Sequence, residues 1–532
     1  MASTAYVVGS GPAGVACARA LLDKGVRVVM LDGGTRLEPH RARAVETLGR
    51  GQPGDFDPEL LALIKENMDA TPEGVPLKVA YGSDFPYQDV GTYIPMDTIG
   101  FSASPSLAVG GLGNVWGASM LPFRADDIAD WPLPISALAP HYEAVLGFVP
   151  MAGSRDAIDQ VLPLYSRHYR PLRPSCQASA LMKDLAANRE ALAADGITIG
   201  SSRLAVRAQA SEEGPGCAYC GLCMYGCPYG AIYNPASTLE QLRRNPDFEY
   251  VDRVVVERVV EREGRVHIAA TSMADNRALA FEAERVYLAC GVLSSTRILL
   301  RSMEAYDLPL PLKDSQYYLF PLLRYRMPAG VESERLHTLA QLFLEISDTS
   351  ISSYSIHLQV YSYNDLLPSA VGGVLGPLAR IARPALAQIV GRLLIVQGYL
   401  HSSISPAISV TLSPPANGDQ PRLKVEARTV PATKQAVGRV LAKLMKNRHH
   451  LRALPIGLML KMALPGRGYH SGGTFPMSER PAEFQSDLLG RPHGFERVHL
   501  VDSSVFPTIP STTITLSTMA NAHRIGSAHN EL

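Results

Sequence analysis

Ala5-Tyr6-Val7-Val8 is an apolar run too short for a helix and bounded at once by glycine, the pattern of a buried strand in a parallel sheet. A helical stretch from Val15 to Lys24, a stop at Gly25 and a second apolar run from Val26 to Leu31 follow. Residues 33 to 105 mix Pro, Gly and charge, and read as loops and short helices, while 151 to 210 carry helical patterns. Asn234-Pro235 opens a helix, with Ser237 or Thr238 near its N-cap. Phe248 to Glu261 and Arg265 to Ser272 read as a strand pair, and Val286 begins a strand that turns at Gly291 into a helix opened by Ser294-Ser295-Thr296. From about 303 to 455 the pattern changes. Strands rich in Tyr, Ile, Val and Ser (Gln316 to Met327, Ser353 to Tyr363, Ala407 to Leu412) alternate with loops. They are followed by an amphipathic helix at about 432 to 450, whose apolar Val437, Val440, Leu441 and Leu444 sit at helical spacing and whose basic residues form a solvated face. The pattern predicts an α/β protein that opens on a Rossmann-type parallel unit and has a second, strand-rich region from about 303 to 455.

Between the first strand and its helix lies Gly9-Ser10-Gly11-Pro12-Ala13-Gly14, and the second strand ends in Asp32. In that arrangement Gly9 permits a tight turn, Gly11 lets backbone approach a pyrophosphate at the helix N-terminus, and Gly14 lets helix and strand pack closely. Asp32 is placed to accept from a ribose hydroxyl. The motif specifies a dinucleotide and leaves FAD and NAD both open. A second glycine-rich loop, Val109 to Gly117, fits backbone passing close to a flat ligand.

Composition narrows the partners. At 532 residues the chain exceeds one ordinary core, so two domains are expected, and 50 basic against 50 acidic residues remove a global electrostatic case for nucleic acid. The first strand leaves no room for a signal peptide, which points to the cytoplasm. No clean run of 18 apolar residues occurs. The nearest, Leu366 to Leu400, is broken by prolines and arginines and reads as a buried or lid-like hairpin, with peripheral membrane contact as the alternative.

Four of the seven cysteines, Cys217, Cys220, Cys223 and Cys227, fall in a C-x2-C-x2-C-x3-C-P run. Ferredoxins wrap such a run around an iron–sulfur cluster. Zinc or a disulfide staple, and plain packing, are the competing readings. Cys17 and Cys290 read as packed thiols.

The βαβ start, the loop of type GGxxxxWG (Gly110, Gly111, Asn114, Val115, Trp116, Gly117) and Trp131-Pro132 followed by Leu138-Ala139-Pro140-His141-Tyr142 resemble the glucose–methanol–choline (GMC) family of flavin oxidoreductases, nearest its pyranose oxidase and sugar dehydrogenase side. The resemblance implies FAD, bound without a covalent link because Val115 stands where pyranose oxidases carry a flavin-linked histidine. It implies that the Cys290 segment closes the adenosine end of the FAD site, and that His470-Ser471-Gly472-Gly473-Thr474 holds the base, His470, against flavin and substrate. Val498 to Thr508 resembles the family's V-D-x-S-V-F-P turn, with Asp502 and Ser503 beside the cofactor. The helix after Thr513-Ile514 is expected to aim its N-terminus at the flavin.

In some family members a cysteine run resembles the ligand set of a cluster that drains electrons from the flavin. The resemblance implies an α/β fold with a Rossmann-type parallel sheet for FAD, in residues 1–124, 231–302 and 465–532, and an inserted α+β substrate domain built on an antiparallel sheet, in 125–230 and 303–464, the latter including the Cys-rich segment 217–228. The implied activity is dehydrogenation of an alcohol, a hydroxyl of a sugar, glycoside or polyol, with electrons passed to an external acceptor. One position departs: where the family has His or Asn, this chain has Thr513, which can orient an alcohol but cannot act as base. His401 or Tyr399 then become candidates for the second group. A redox-neutral lyase or isomerase, and an electron-relay subunit carrying an iron–sulfur cluster, are the alternative functions.

Overall fold

A computed structural model describes residues 4–67, 77–331, 333–362, 389–415 and 420–529. Thr4–Val8 lies at the middle of a five-stranded sheet, flanked by Arg27–Leu31 and Arg285–Leu288, with Phe248–Val251 and Val498–Leu500 outermost; every neighbouring pair is parallel. The first helix runs Pro12–Asp23, three residues earlier than expected, because Pro12 occupies a first-turn position where its missing N–H has no partner to lose. It packs along the C-terminal helix Thr515–Ser527. Small residues permit that approach: a Cβ on Gly526 would lie 2.9 Å from the Cys17 carbonyl oxygen.

The segment read as one strand from Phe248 to Glu261 is two. Phe248–Val251 joins the parallel sheet, whereas Val254–Arg262 pairs antiparallel with Arg265–Ser272 and, through it, with Ala278–Ala283. The break is at Arg253, whose φ of +56° turns the chain out of one sheet and into the other. The helix after Asn234 is capped by Asn234 itself, its side chain accepting from Ala236 N, and not by Ser237 or Thr238.

The middle of the chain forms a large antiparallel sheet in the order Ala453–Pro455, Tyr317–Arg324, Leu393–Tyr399, Ile356–Tyr361, Leu342–Ile346, Ile197–Ser201. Strict alternation gives it two unlike faces. Leu342, Leu344, Ile346, Ile356, Leu358, Val360, Leu394 and Val396 point one way, onto Leu181 and Leu185 of the helix Cys176–Ala187 and onto Val437, Val440 and Leu444 of the helix Pro431–Lys446. That helix therefore buries the apolar stripe read from sequence. Its basic side is partly paired, Lys443 with Asp348 at 2.6 Å and Lys446 with Asp195 at 2.8 Å. The opposite face carries Glu345, His357, Gln359, Tyr361, Gln397, Tyr399 and Tyr317.

A smaller sheet joins the two halves, in the order Ser471–Gly472, Leu310–Asp314, Ala407–Leu412, Leu423–Arg428, Met96–Ile99. Among the described residues no helix is long and apolar enough to cross a membrane. Of the stretch 366–400 read for membrane contact, 366–388 lie outside the described residues, and Leu393–Tyr399 is an interior strand of the large sheet.

Leu358 is fully buried between sheet and helices. Leu358→Ala should lower unfolding free energy by about 2–5 kcal/mol, read by chemical denaturation.

Candidate active site

The glycine turn is built as its spacing requires. Gly9 has a φ of +100°, and a Cβ on Gly14 would sit 1.9 Å from the Gly9 carbonyl oxygen. Gly11 differs: a Cβ there would meet nothing within 4 Å, and the helix it begins has no side-chain cap. Bare backbone before an uncapped N-terminus is a cradle for a phosphate. Asp32 is buried and accepts from Ser10 N (2.9 Å), Gly34 N (3.2 Å) and Tyr250 Oη (2.9 Å); burial pushes its carboxyl up, against the pull of those bonds.

Val8, Gly9, Asp32, Gly33 and Cys290 line one cleft with Val254–Val256, Ser294 and Arg297. Ser294 Oγ and Arg297 Nε are both buried without a protein partner. Sequence reasoning missed Arg297, although a charged residue inside the apolar helix Val292–Ser302 was a visible signal. These orphaned groups and the bare Gly11 fit a nucleotide. The Cys290 thiol donates to the Val8 carbonyl (3.3 Å) and packs.

The second glycine loop lies against the first. Gly110 N donates to Ser10 Oγ at 2.9 Å, and a Cβ on Gly111 would be 3.4 Å from Gly11 Cα. Asn114 holds the loop closed through Nδ2 to the Val109 and Gly111 carbonyls and accepts from Asn234 Nδ2. Trp116 Nε1 donates to the Tyr233 carbonyl (3.0 Å), and Val115 is buried with Ala80, Phe85 and Ala108.

The C-terminal segments are stitched together. Asp502 accepts from Ser295 Oγ (2.5 Å) and Ser504 N (3.0 Å), tying its turn to the helix Val292–Ser302. Ser503 Oγ donates to the Ser471 carbonyl, and Gly473 N to the Ser503 carbonyl. Asp314 clamps the other side, accepting from Ser471 Oγ (2.6 Å) and Gly466 N (2.9 Å), while Ser315 N donates to the His470 carbonyl (3.0 Å). His470 is thereby fixed at both edges of its segment.

Its ring stacks on Tyr399 at 4.8 Å and 29°, and its Nδ1 is buried with no hydrogen-bond partner. Burial, then the neighbouring His357, hold its pKa at about 3, so it is neutral at working pH. Tyr399 in turn stacks with Tyr317 at 5.3 Å and lies 6.3 Å from the His357 ring. Thr513 Oγ1 donates to the Ser119 carbonyl at 3.1 Å. Ile514 stands at the N-cap of the helix Thr515–Ser527, which also has no side-chain cap. His401 is not on this row; it stacks on Tyr354 at 3.7 Å.

The cysteine segment packs elsewhere, against the helices Pro39–Arg50 and Pro58–Lys65 through Leu222, Tyr225, Leu48 and Ile64. Cys217, Cys220, Cys223 and Cys227 are free thiols, and burial pushes Cys217 and Cys220 up to about 12. Among the described residues no group of three or more His, Cys, Asp or Glu side chains is placed to hold a metal ion. The four thiols nevertheless lie close enough to act on one another, Cys223 and Cys227 each raising Cys217 and Cys220 further.

Fold and site together define a class: an α/β protein with a Rossmann-type parallel sheet and a large antiparallel sheet, a buried neutral histidine stacked on the polar face of the latter. The family follows from comparison. Residues 158–304 and 409–522 match the N-terminal and C-terminal models described as GMC oxidoreductase, and the chain belongs to the GMC oxidoreductase family. Among solved structures it is similar to pyridoxine 4-oxidase from Mesorbium loti, at 15% identity and a TM-score of 0.60 over 100% of this chain and 99% of that one. It is also similar to a formate oxidase from Aspergillus oryzae RIB40, at 14% identity and a TM-score of 0.60 over 99% of each. Identities this low speak for the fold, which runs the whole length. No curated protein matches by sequence.

Two predictions follow from this geometry. Gly11→Val should fold with an unchanged melting temperature yet bind added FAD about 10–100-fold more weakly, read by flavin fluorescence quenching, since its side chain enters only the phosphate cradle. Asp314, raised by burial to about 7, holds its proton more tightly folded than unfolded, so ionising it destabilises the fold as pH rises from about 4 through 7. Relative to wild type, Asp314→Asn should therefore melt higher at pH 8 than it does at pH 5.

Proposed function

We infer that the protein is an FAD-dependent oxidoreductase that oxidises the CH–OH group of a hydroxyl-rich alcohol, a sugar, glycoside or polyol. The observation that carries this is His470. It is a neutral imidazole with an unpartnered Nδ1, set on the polar and aromatic face of the antiparallel sheet by a segment anchored to Asp314 and to the Ser503 turn. A neutral histidine beside a substrate hydroxyl is a general base.

Gly9, Gly11, Gly14, Asp32, Gly110, Gly111, Asn114 and Trp116 would form the FAD cradle, with Cys290, Asp502, Ser503, Thr513 and Ile514 closing it. Val115 has no atom able to bond the flavin, which supports non-covalent binding. Residues 1–124, 231–302 and 465–532 form the cofactor-binding part in this reading, and 125–230 and 303–464 the substrate-binding part. When bound, FAD supplies a hydride acceptor at N5. His470 takes the hydroxyl proton while the hydrogen on the carbinol carbon leaves as hydride, and Thr513 and the sheet residues orient the alcohol. Asp314 holds His470 in place, and the uncapped helix after Ile514 presents its positive end to the cofactor.

A dehydrogenase using an external acceptor was expected because the cysteine run offered an electron exit. No step is routed through the cysteines, and the electron acceptor is left unassigned.

Anaerobic stopped-flow mixing of FAD-loaded protein with a panel of polyols and sugars tests the reading, which fails if no alcohol bleaches the flavin. His470→Ala should keep FAD and slow flavin reduction about 100-fold or more; an unchanged rate removes the base assignment.

A further inference from the structure

Seven large apolar side chains are exposed among the described residues, and five of them gather along one edge of the large sheet: Tyr325, Ile389, Met445, Leu458 and Met459. Leu458 is the extreme, 101% exposed at the centre of the 3-10 turn Gly457–Met459. Its exposure is built into the backbone. Met459 N donates to the Ile456 carbonyl and Leu460 N to the Gly457 carbonyl, while Ile456 N donates to the Pro321 carbonyl and ties the turn to the sheet. Behind the turn, a Cβ on Gly457 would lie 3.6 Å from Leu441 Cδ1 of the helix Pro431–Lys446, and Met445 stands one turn beyond Leu441 on the same helix. Further along the edge, Tyr325 meets the His449 ring edge-on at 6.5 Å, and its N donates to the Arg452 carbonyl. The Ile389 carbonyl accepts from Arg392 N, whose own carbonyl accepts from Arg324 N.

The charge around this edge is one-sided. Residues 427–478 contain nine Lys and Arg and no Asp or Glu, in a chain whose 50 basic and 50 acidic residues balance. The acids that approach from other elements are already held: Asp184 by Arg324, Asp195 by Lys446 and Asp348 by Lys443. Arg326, Arg452 and Lys461 are exposed. A protruding apolar tip needs a partner that yields around it, as acyl chains do, since a folded protein would have to supply a cavity of matching shape. The basic rim selects the charge of that partner's headgroups, and Tyr325 at the margin suits the boundary between headgroups and water. From the tip the chain runs into the strand Lys461–Met462, which pairs with Tyr318 and Leu319, and then to Ala463, packed with Tyr317 and Tyr399. Leu458 is thus five residues, about 16 Å of chain, from the row on which His470 stacks.

We propose that the Leu458–Met459 turn, with Met445 and Tyr325 beside it, seats this edge of the protein on a bilayer of anionic phospholipid, the apolar tip entering the acyl boundary and Arg326, Arg452 and Lys461 meeting the headgroups. The surface is separate from the cofactor and substrate sites and does not rest on the alcohol-oxidation reading. One short turn and a few cations make the contact peripheral, reversible and sensitive to salt.

Cosedimentation of the full protein with phosphatidylcholine vesicles, with and without about 30% phosphatidylglycerol, tests this. Wild type should bind the anionic vesicles at least about tenfold more tightly than the neutral ones, and leave them as salt rises. Leu458→Ser combined with Met459→Ser should bind them about tenfold or more weakly at an unchanged melting temperature, since the Leu458 side chain is wholly in solvent. Arg452→Gln combined with Lys461→Gln should weaken binding to the anionic vesicles about tenfold as well. Binding to neither vesicle, equal binding to both, or variants that bind as wild type does overturns the proposal. Sedimentation velocity without lipid covers the remaining occupant. A self-association that the Leu458 and Met459 substitutions abolish would make this edge an interface between copies of the chain, and would overturn the proposal too.

Discussion

Alternation of side chains along the strands Leu342–Ile346, Ile356–Tyr361 and Leu393–Tyr399 is the constraint on which the rest depends. One face must be apolar, because the helices Cys176–Ala187 and Pro431–Lys446 lie on it. The other is then free to carry Glu345, His357, Gln359 and Tyr399, since a buried polar residue is tolerable only where its neighbours on the same face can hydrogen-bond to it. A shift of one residue in any of these strands would exchange the faces, placing the Glu345 carboxylate among leucines and Leu344 against His470's partner.

His470 shows how the smaller sheet serves the larger. Its segment has only two residues of regular strand, Ser471–Gly472, too few to locate a ring by ladder bonds alone. Asp314 on one side and Ser503 on the other supply the missing restraint. The buried carboxyl is the less comfortable of the two, since burial raises it to about 7. Placement of the histidine thus depends on a carboxyl that burial pushes toward its protonated form while its bonds from Ser471 and Gly466 favour the ionised one, and the local fold and the candidate base are coupled through Ser471.

The cysteine run is held in place by packing as much as by its spacing. C-x2-C-x2-C-x3-C is short enough for a chain to wrap its sulfurs around a cluster. Here Tyr81 Oη donates to the Cys227 carbonyl and Tyr229 Oη to the Gly51 carbonyl, while Leu222 and Tyr225 bury against the helices Pro39–Arg50 and Pro58–Lys65. Those anchors set the backbone path, and the thiols follow it.

Sequence alone determined the βαβ unit, the parallel and antiparallel halves and the family, and put forward His470 as the candidate base, because each is encoded over a few neighbouring positions: glycines where a Cβ cannot fit, apolar runs of strand length, a short motif. It also carried a signal that went unused, the alternation Ile356-His357-Leu358-Gln359-Val360-Tyr361, polar on every second residue. The break at Arg253, the helix start at Pro12 and the capping by Asn234 were missed by a few residues, since backbone turns at element ends depend on what each end meets. Only the tertiary structure decided that Glu345 faces His357, that His357 and His470 share Tyr399, and that the Thr513 hydroxyl gives its hydrogen to Ser119. These are pairings across strands and segments from distant parts of the chain. Their register is set by how two sheets and their helices fill space together, which no local pattern of residues records.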